Sequence, residues 1–375
     1  MKRILFVISI IIVLLGAFPA RAQELYVDEQ GVWRATVIRI LETEEETLPG
    51  LDIPSTRQFI EVRLKGGERD GETLHFWNDH PVLSEGDRVF IVYTKTVDGA
   101  ERYRVQDMDR TVPLAALALL FVVAVVGLSG LQGVRSLISL AGSIAAILFV
   151  LIPLLLAGFP PVATSIVVAA GILAIAILVT HGINRRSLLA LAGTWSAIIV
   201  TGLLAHGFIA AAHLTGFASD ESIYLNASTR GTLDFVGLLL GAIIIGAIGV
   251  LDDIAITQVA VVRELSEHDE SIPPFALYRK ALRVGKEHVG ALVNTLVLAY
   301  TGAALPLLLL FTQVDAAALT ILNQEVIATE ILRTLVGSIG LILTVPITTG
   351  LAVLFRGKLG KGGEDPLHAH HHGAV

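Results

Sequence analysis

The chain has 375 residues, a formal net charge of −7 and no cysteine. Without cysteine it forms no disulfides, no thiolate metal sites and no cysteine-held iron–sulfur clusters. Its acidic balance, with no basic cluster, gives no electrostatic footprint for nucleic acid. Hydrophobic residues make up 54% of the chain, charged residues only 16%, and the mean hydropathy is +0.72. This composition indicates an integral membrane protein whose first partner is the lipid bilayer.

The N-terminus has the pattern of an export signal. Lys2 and Arg3 precede an apolar run over residues 4–18, and residues 20–22 (Ala-Arg-Ala) have the small-x-small form of a signal-peptidase site. Residues 1–22 are therefore predicted to be a signal peptide or, if uncleaved, an N-terminal membrane anchor. Both alternatives export the residues that follow.

Residues 24–110 differ in composition from the rest of the chain, being charged and rich in β-branched residues with glycine turns between short runs. Asp98-Gly99 is the clearest hairpin signal. Five short strands in fewer than 90 residues predict a small, OB-like β-barrel. This domain is interpreted either as a module that binds a partner or as a folded cap. The candidate strands are Trp33–Leu41, Gln58–Leu64, Glu72–Trp77, Arg88–Thr94 and Glu101–Gln106.

Residues 111–356 are predicted to form a polytopic transmembrane domain. A hydrocarbon layer about 30 Å thick needs roughly 20 apolar residues per helix. Seven stretches have this length, and an uncleaved N-terminal segment would add an eighth. The predicted fold is therefore a mainly α membrane protein, a seven-helix bundle preceded by the small β domain. The stretches are 113–131, 137–157, 162–181, 188–210, 233–257, 289–311 and 333–355.

The distribution of basic residues predicts how the helices are oriented. Basic residues cluster in alternate loops and in the C-terminal tail, as the positive-inside rule requires of cytoplasmic segments. This places the β domain outside the bacterial cytoplasmic membrane and residues 357–375 in the cytoplasm. The tail contains four histidines, but a disordered tail does not preorganise a site, so we predict no metal site and no cofactor. The basic positions are Arg135, Arg185, Arg186, Arg263, Arg279, Lys280, Arg283, Lys286, Arg356, Lys358 and Lys361.

Two adjacent acids, Asp252 and Asp253, lie inside the apolar stretch that runs from Leu233 to Val262. Ionisable residues at membrane depth are costly and are candidate functional sites by default. On a helix, Asp253 shares one face with small and hydroxyl residues, whereas Asp252 lies about 100° away, beside Gly241. We expect Asp253 to face a packed interior and Asp252 to reach water or the inner interface. The alternative is that these residues serve helix packing only. The face consists of Ala242, Gly246, Gly249, Asp253 and Thr257.

The following apolar stretches supply polar partners for this face. Proline in a helix frees the carbonyl oxygen four residues earlier, and broken segments can line ion or substrate sites. Pro306 frees the carbonyl of Gly302 in this way, and Pro346 frees that of Ile342. We expect an oxygen-rich cavity suited to a hard cation or a proton, formed by Asp253, Thr257, Thr301, Asn294 and Pro346. The full set of candidate binding residues is Asp252, Asp253, Thr257, Asn294, Thr295, Tyr300 and Thr301, with packing or hinge positions at Gly241, Gly246, Gly249, Gly302, Pro306 and Pro346.

These segments resemble a known family. Residues 241–249, rich in glycine, alanine and isoleucine and followed by Asp253, resemble the central motif of the YibE/F family of bacterial multipass membrane proteins. Residues 294–300 and Leu305-Pro306-Leu307 resemble its next motif. In the family pattern the helix carries one acid, which corresponds to Asp253, and Asp252 stands where the family often has an apolar residue. The resemblance implies a membrane location and carries no agreed biochemical activity.

Two classes of function remain open. One is a permease or channel for an ion or small solute, with Asp253 as counter-ion or protonation site. The other is a scaffold or regulator that does not transport and whose outer β domain binds a partner. The chain has no zinc-binding His-Glu-x-x-His and no Gly-x-Ser-x-Gly motif, so an enzyme is not expected. The face of small residues would fit another helix of the same chain or a second subunit.

Overall fold

The computed structural model describes residues 29–47, 54–66, 69–95, 101–313 and 315–356. The predicted signal segment, the Asp98-Gly99 turn and the tail from residue 357 lie outside the described residues. The chain separates into two compact units, which meet in sequence between Leu128 and Ser129. One contains the β-strands and the other contains the packed helices, and we describe each by itself.

The β unit contains the five predicted strands, most of them longer than predicted. They form one antiparallel sheet with the order β3-β2-β1-β4-β5. Because β1 has 19 residues, it pairs with β2 through its second half and with β4 through its first half. The strands are β1 Glu29–Thr47, β2 Pro54–Lys65, β3 Thr73–Asn78, β4 Arg88–Lys95 and β5 Glu101–Met108.

The sheet is curled, so that its two edge strands approach each other. The rings of Phe76 in β3 and Tyr103 in β5 lie 6.1 Å apart between centroids. Alternate residues of each strand point inward, as the two-residue period of a strand dictates. The resulting apolar core consists of Ala35, Val37, Ile60, Val62, Leu64, Leu74, Phe76, Leu83, Val89, Ile91 and Val105.

Arg69 bridges the gap between these edges. It forms an ion pair with Glu72 just before β3, and its Nη1 donates to the carboxylate of Glu101 (3.3 Å) and the hydroxyl of Tyr103 (3.2 Å) in β5. Its guanidinium also lies 5.2 Å from the ring centroid of Trp33 in β1. Arg69 lowers the pKa of the Glu72 carboxyl by hydrogen bonding, and Tyr103 followed by Arg69 lowers that of Glu101.

Helices make up the rest of the described chain. A π-helical segment, Ile147–Leu151, separates α1 from α2, and Gly130 interrupts α1 with φ 54° and ψ −134°, a conformation that glycine adopts without steric cost. The helices are α1 Thr111–Ala146, α2 Ile152–Leu156, α3 Pro161–His181, α4 Arg185–Ala211, α5 Asp220–Ser228, α6 Phe235–His268, α7 Pro274–Ala303, α8 Leu305–Thr312, α9 Ala318–Leu322 and α10 Glu325–Leu354.

Within the described ranges, five helical segments are long and apolar enough to cross a membrane, or six if the bent pair α7 and α8 is one span. The first two predicted spans fall in one continuous segment, Thr111–Leu156, which the break at Gly130 divides. The sixth predicted span corresponds to α7 and α8, which meet at an angle of 61° next to Pro306. The prediction of a helical membrane protein is confirmed, while the exact number of seven spans stays a prediction.

Close contacts between glycines and polar side chains hold the helical unit together. A Cβ atom added to Gly241 of α6 would lie 2.2 Å from the hydroxyl of Ser165 in α3. One added to Gly193 of α4 would lie 2.4 Å from the hydroxyl of Thr348 in α10. Small residues allow helix axes to approach closely where no hydrophobic effect drives association in the membrane. Here each of these glycines receives a hydroxyl group of the adjacent helix.

Candidate functional site

The predicted face of small residues on α6 is uncovered. Ala242, Gly246, Gly249 and Asp253 are all exposed, whereas the opposite side of the helix packs against α4 and α10. The prediction that Asp253 faces a packed interior is therefore wrong for the single chain, and it is Asp252 that is partly buried. The predicted positions of these residues around the helix are correct. Such positions do not show which helices pack nearby, and in the structure the neighbouring helices pack against other faces of α6.

Asp253 lies near the C-terminal end of the predicted apolar stretch 233–257. The contact between Ser165 of α3 and Gly241 of α6 fixes the register of these two helices. With the same rise per residue, Asp253 is level with a position about one turn before His181, the last residue of α3. Asp253 therefore lies about one helical turn from the depth at which α3 ends.

Helix α7 borders the other side of this face. A Cβ added to Gly285 of α7 would lie 2.7 Å from Nε2 of Gln258 in α6, and one added to Gly246 of α6 would lie 3.1 Å from the Tyr300 hydroxyl. These two contacts fix an antiparallel register, which brings Asn294 to within about one turn of Asp253 in depth. Leu296 instead contacts Gly337 of α10.

The wheel of α7 places Asn294 on the flank next to α6. Tyr300 of α7 contacts α6 and Leu296 contacts α10. Going around the helix from Leu296 past Tyr300, the next residues are Gly290, Thr301 and Asn294, which therefore lie on the side away from α10. All three residues are exposed. Within the described chain, neither the Asn294 amide nor the Asp253 carboxylate forms a side-chain hydrogen bond with another residue; the hydroxyl of Thr257 donates to the backbone oxygen of Asp253.

The other predicted residues do not complete a closed cavity with Asp253. Thr295 and Thr301 are exposed, and Thr295 donates its hydroxyl to the backbone oxygen of Ala291. Gly302 and Pro306 lie at the exposed bend between α7 and α8, two to three turns beyond Asn294. Pro346 lies in α10, which packs on a different side of α6. The expected oxygen-rich cavity is replaced by an open face with Asp253 and Asn294 on it.

A buried polar pair that the sequence did not suggest lies behind this face. The Thr349 hydroxyl of α10 donates to Oε1 of Gln258 in α6 over 2.8 Å, and both side chains are fully or almost fully buried. The signal was present, because Gln258 is a strongly polar side chain inside the apolar stretch from Leu233 to Val262.

The end of the bundle where α10 begins carries a second polar group of residues. The Glu325 carboxylate at the start of α10 accepts hydrogen bonds from the backbone N–H groups of Thr215 (2.7 Å) and Gly216 (2.8 Å). A pocket of about 390 Å³ beside them is lined by His206 and His213. No three His, Asp or Glu side chains in the described ranges come together in a way that could hold a metal ion.

Long apolar helices that pack through glycines define this chain as a membrane protein with several membrane-spanning helices. A family model described as YibE/F-like protein matches residues 117–358. The chain therefore belongs to the YibE/F-like family, and the resemblance read from residues 241–253 and 294–307 is confirmed. The match covers the helices and excludes the β strands. No curated protein and no solved structure matches the chain.

Proposed function

We propose that the protein is a permease or channel for an inorganic cation or small solute, with Asp253 as the polar site on its path. The observation that carries this proposal is that Asp253 and Asn294 lie within about one turn of each other in depth on the open face formed by α6 and α7. A carboxylate and an amide oxygen suit a hard cation.

Irregular helices in the helical unit support a transporting role. The bend between α7 and α8 and the π-helical segment Ile147–Leu151 interrupt apolar helices, and Pro346 lies inside α10. Backbone breaks at membrane depth are tolerated where they are buried in protein or line a water-filled path, and π-helical turns are frequent at functional sites. No enzymatic step forms part of the proposal.

The proposal includes the finer architecture expected from the sequence. Counting Thr111–Leu156 as two spans, divided at Gly130, and α7 with α8 as one gives seven spans in the bacterial cytoplasmic membrane. The β domain is then outside and the C-terminus is in the cytoplasm. The strand order, with a long β1 shared by both halves of the sheet, supports an OB-like barrel.

The test is flux into proteoliposomes that contain the purified protein, with a pH-sensitive dye for protons and a panel of mono- and divalent cations. We expect flux with the wild type and a loss of at least tenfold with Asp253→Asn. Asp315→Asn, an exposed acid in an outer loop, is the matched control and should keep full flux. Equal flux in wild type and Asp253→Asn would remove Asp253 from the path.

A second candidate function is a scaffold whose outer β domain binds a partner. The observation that favours it is an aromatic surface on the outward side of β2 and β3. There Phe59 and Trp77 lie 5.2 Å apart between ring centroids, with Arg57 4.8 Å from the Trp77 ring. A scaffold predicts that Asp253→Asn keeps biological activity, whereas the double change Phe59→Ala, Trp77→Ala loses it. Transport predicts the reverse, in a complementation assay on a deletion strain.

A further inference from the structure

The open surface formed by α6 and α7 differs from the exposed surfaces of α4 and α10. Among the described residues of α6, Val236 is the sole exposed large apolar side chain, and between Gly285 and Ala303 of α7 it is Leu298. By contrast, α4 exposes Leu188, Trp195, Ile199, Leu203 and Phe208, and α10 exposes Ile331, Leu335, Ile339, Ile342 and Leu354. Large apolar side chains suit contact with acyl chains, whereas small and polar ones suit contact with protein.

Two glycines of this surface, Gly249 and Gly290, have no role in packing within the chain. Added Cβ atoms at Gly249 and Gly290 would meet nothing within 4 Å. Glycine in a helix interior lowers the stability of the helix, and at these two positions no close contact inside the chain offsets that effect. The buried glycines Gly193 and Gly241 differ, because each has a neighbouring hydroxyl against it. Gly249 and Gly290 instead leave room for a backbone from outside the chain.

The polar groups on the surface are complementary to each other. Asp253 offers carboxylate oxygens that accept hydrogen bonds, and Asn294 offers an amide that donates them. Both are exposed and without a side-chain partner in the described chain. A polar group facing acyl chains without a partner costs several kcal/mol, so both need a partner that lipid does not supply.

We propose that the α6–α7 surface, defined by Ala242, Gly246, Gly249, Asp253, Gly290 and Asn294, is the interface between two copies of this chain. A two-fold axis along the membrane normal preserves depth, and a two-fold interface pairs residue i with j and j with i. Asp253 and Asn294 lie within about one turn of each other in depth in one chain. Each Asp253 is therefore within reach of Asn294 of the other copy and accepts a hydrogen bond from it.

This arrangement goes beyond the proposed function and does not depend on transport, because its test measures association alone. The natural chain has no cysteine, so single cysteines report proximity without background. Gly249→Cys and Ala242→Cys place a thiol on the interface. Leu203→Cys on α4, whose side chain is 67% exposed, is the matched control on a lipid-type surface. Oxidation in native membranes is followed by electrophoresis without reducing agent.

We expect Gly249→Cys or Ala242→Cys to give a covalent dimer and Leu203→Cys to give at least tenfold less. Disulfides form only where Cα atoms come within about 7 Å, so this result requires the two α6 helices to be adjacent. Equal yields at the three positions, or a dimer at Leu203→Cys alone, would overturn the proposal. Absence of any dimer at positions 242 and 249 would overturn it as well.

A second measurement introduces a bulky side chain instead of a thiol. Gly249→Trp places an indole ring on the interface at an exposed glycine where an added Cβ meets nothing within 4 Å. Gly207→Trp is the control, since Gly207 is also an exposed glycine with nothing within 4 Å of an added Cβ. Light scattering in detergent gives the protein mass, to be compared with 39.9 kDa for one chain. We expect a dimer for the wild type and Gly207→Trp and a monomer for Gly249→Trp. A wild-type monomer, or a Gly249→Trp dimer, contradicts the proposal.

Discussion

Individual glycines in the helical unit have two different roles, which their surroundings distinguish. Gly193, Gly241 and Gly340 each pack so closely against a neighbouring hydroxyl group that an added Cβ would lie 2.2–2.4 Å from its oxygen. Gly207 and Gly249 have open space instead. The same residue type thus holds helices together within the chain at one position and leaves a surface free for outside contact at another.

The first group predicts a selective loss of stability. Gly193→Ala pushes a methyl group into Thr348 and should lower the free energy of unfolding by about 1–3 kcal/mol, the usual cost of overpacking. Gly207→Ala, with no atom nearby, should be neutral or stabilising, since alanine is about 1 kcal/mol better than glycine in a helix. Unfolding in mixed micelles, followed by circular dichroism, measures both.

A second change identifies the cause of that loss. The Thr348 hydroxyl is buried without a hydrogen-bond partner in the described structure, so Thr348→Ala alone should cost little. Combined with Gly193→Ala it should restore most of the lost stability, because the clashing oxygen is gone. A double variant as unstable as Gly193→Ala would show that the cost lies elsewhere.

At the scale of elements, the edges of the curled sheet are joined by Arg69 and its two carboxylates, and this makes a prediction about acid. The pKa values of Glu72 and Glu101 are lowered from an ordinary 4.5, Glu72 by Arg69 and Glu101 by Tyr103 and then Arg69. A lowered pKa adds stability that is present above the ordinary value and is lost as the pH falls through the folded-state value. The β unit should therefore lose stability progressively as the pH falls below about 4.5.

The measurement is thermal unfolding of the full chain, followed by the fluorescence of Trp33 against pH. Trp33 lies under Arg69, and Trp77→Phe and Trp195→Phe remove the other two tryptophans of the chain. Arg69→Met should lower the midpoint near neutral pH and show less further loss on acidification. The control Arg57→Met also loses an ion pair and a stacked ring, but it bridges no edges and should keep the wild-type acid response.

The elements show how much of the fold could be predicted from the sequence. All five strands were identified, because alternation and glycine turns are local signals. The ends of the strands were missed because they depend on pairing with distant strands, which is not a local signal. For example, β1 continues to Thr47 through a charged run because pairing with β2 stabilises it there. The apolar helices were found by length, and Pro306 was among the predicted hinge positions of the segment that bends there. The break at Gly130 was not predicted, because it depends on a backbone conformation that the pattern does not specify.

The sequence was sufficient to predict which residues share the candidate face, but not whether other helices cover that face. Periodicity placed Gly246, Gly249 and Asp253 on one face, as the structure has them. Which face is covered depends on where α3, α4, α7 and α10 pack, and that is decided by contacts such as Ser165 with Gly241 across long sequence separations. Gln258 was missed because a neutral amide raises no charge signal.

At the scale of the whole molecule, the expected orientation in the membrane makes a prediction for labelling from one side. In this cysteine-free chain, Ser84→Cys in the β unit and Asp315→Cys after α8 should react with a membrane-impermeant maleimide added outside. Glu264→Cys near the end of α6 should react only after the membrane is permeabilised. All three side chains are exposed, so the side of the membrane on which each cysteine lies determines whether the maleimide reacts with it. Outside labelling of Glu264→Cys would reverse the predicted topology.

The length of β1 has a consequence for how the β unit unfolds. Residues Arg34, Ala35 and Thr36 pair with β2 on one side and with β4 on the other. The hairpin-like pairs β2–β3 and β4–β5 therefore share a single strand, and neither half keeps a complete hydrophobic face if that strand detaches. Loss of β1 removes both halves together, so the domain should unfold in one cooperative transition without a half-folded intermediate.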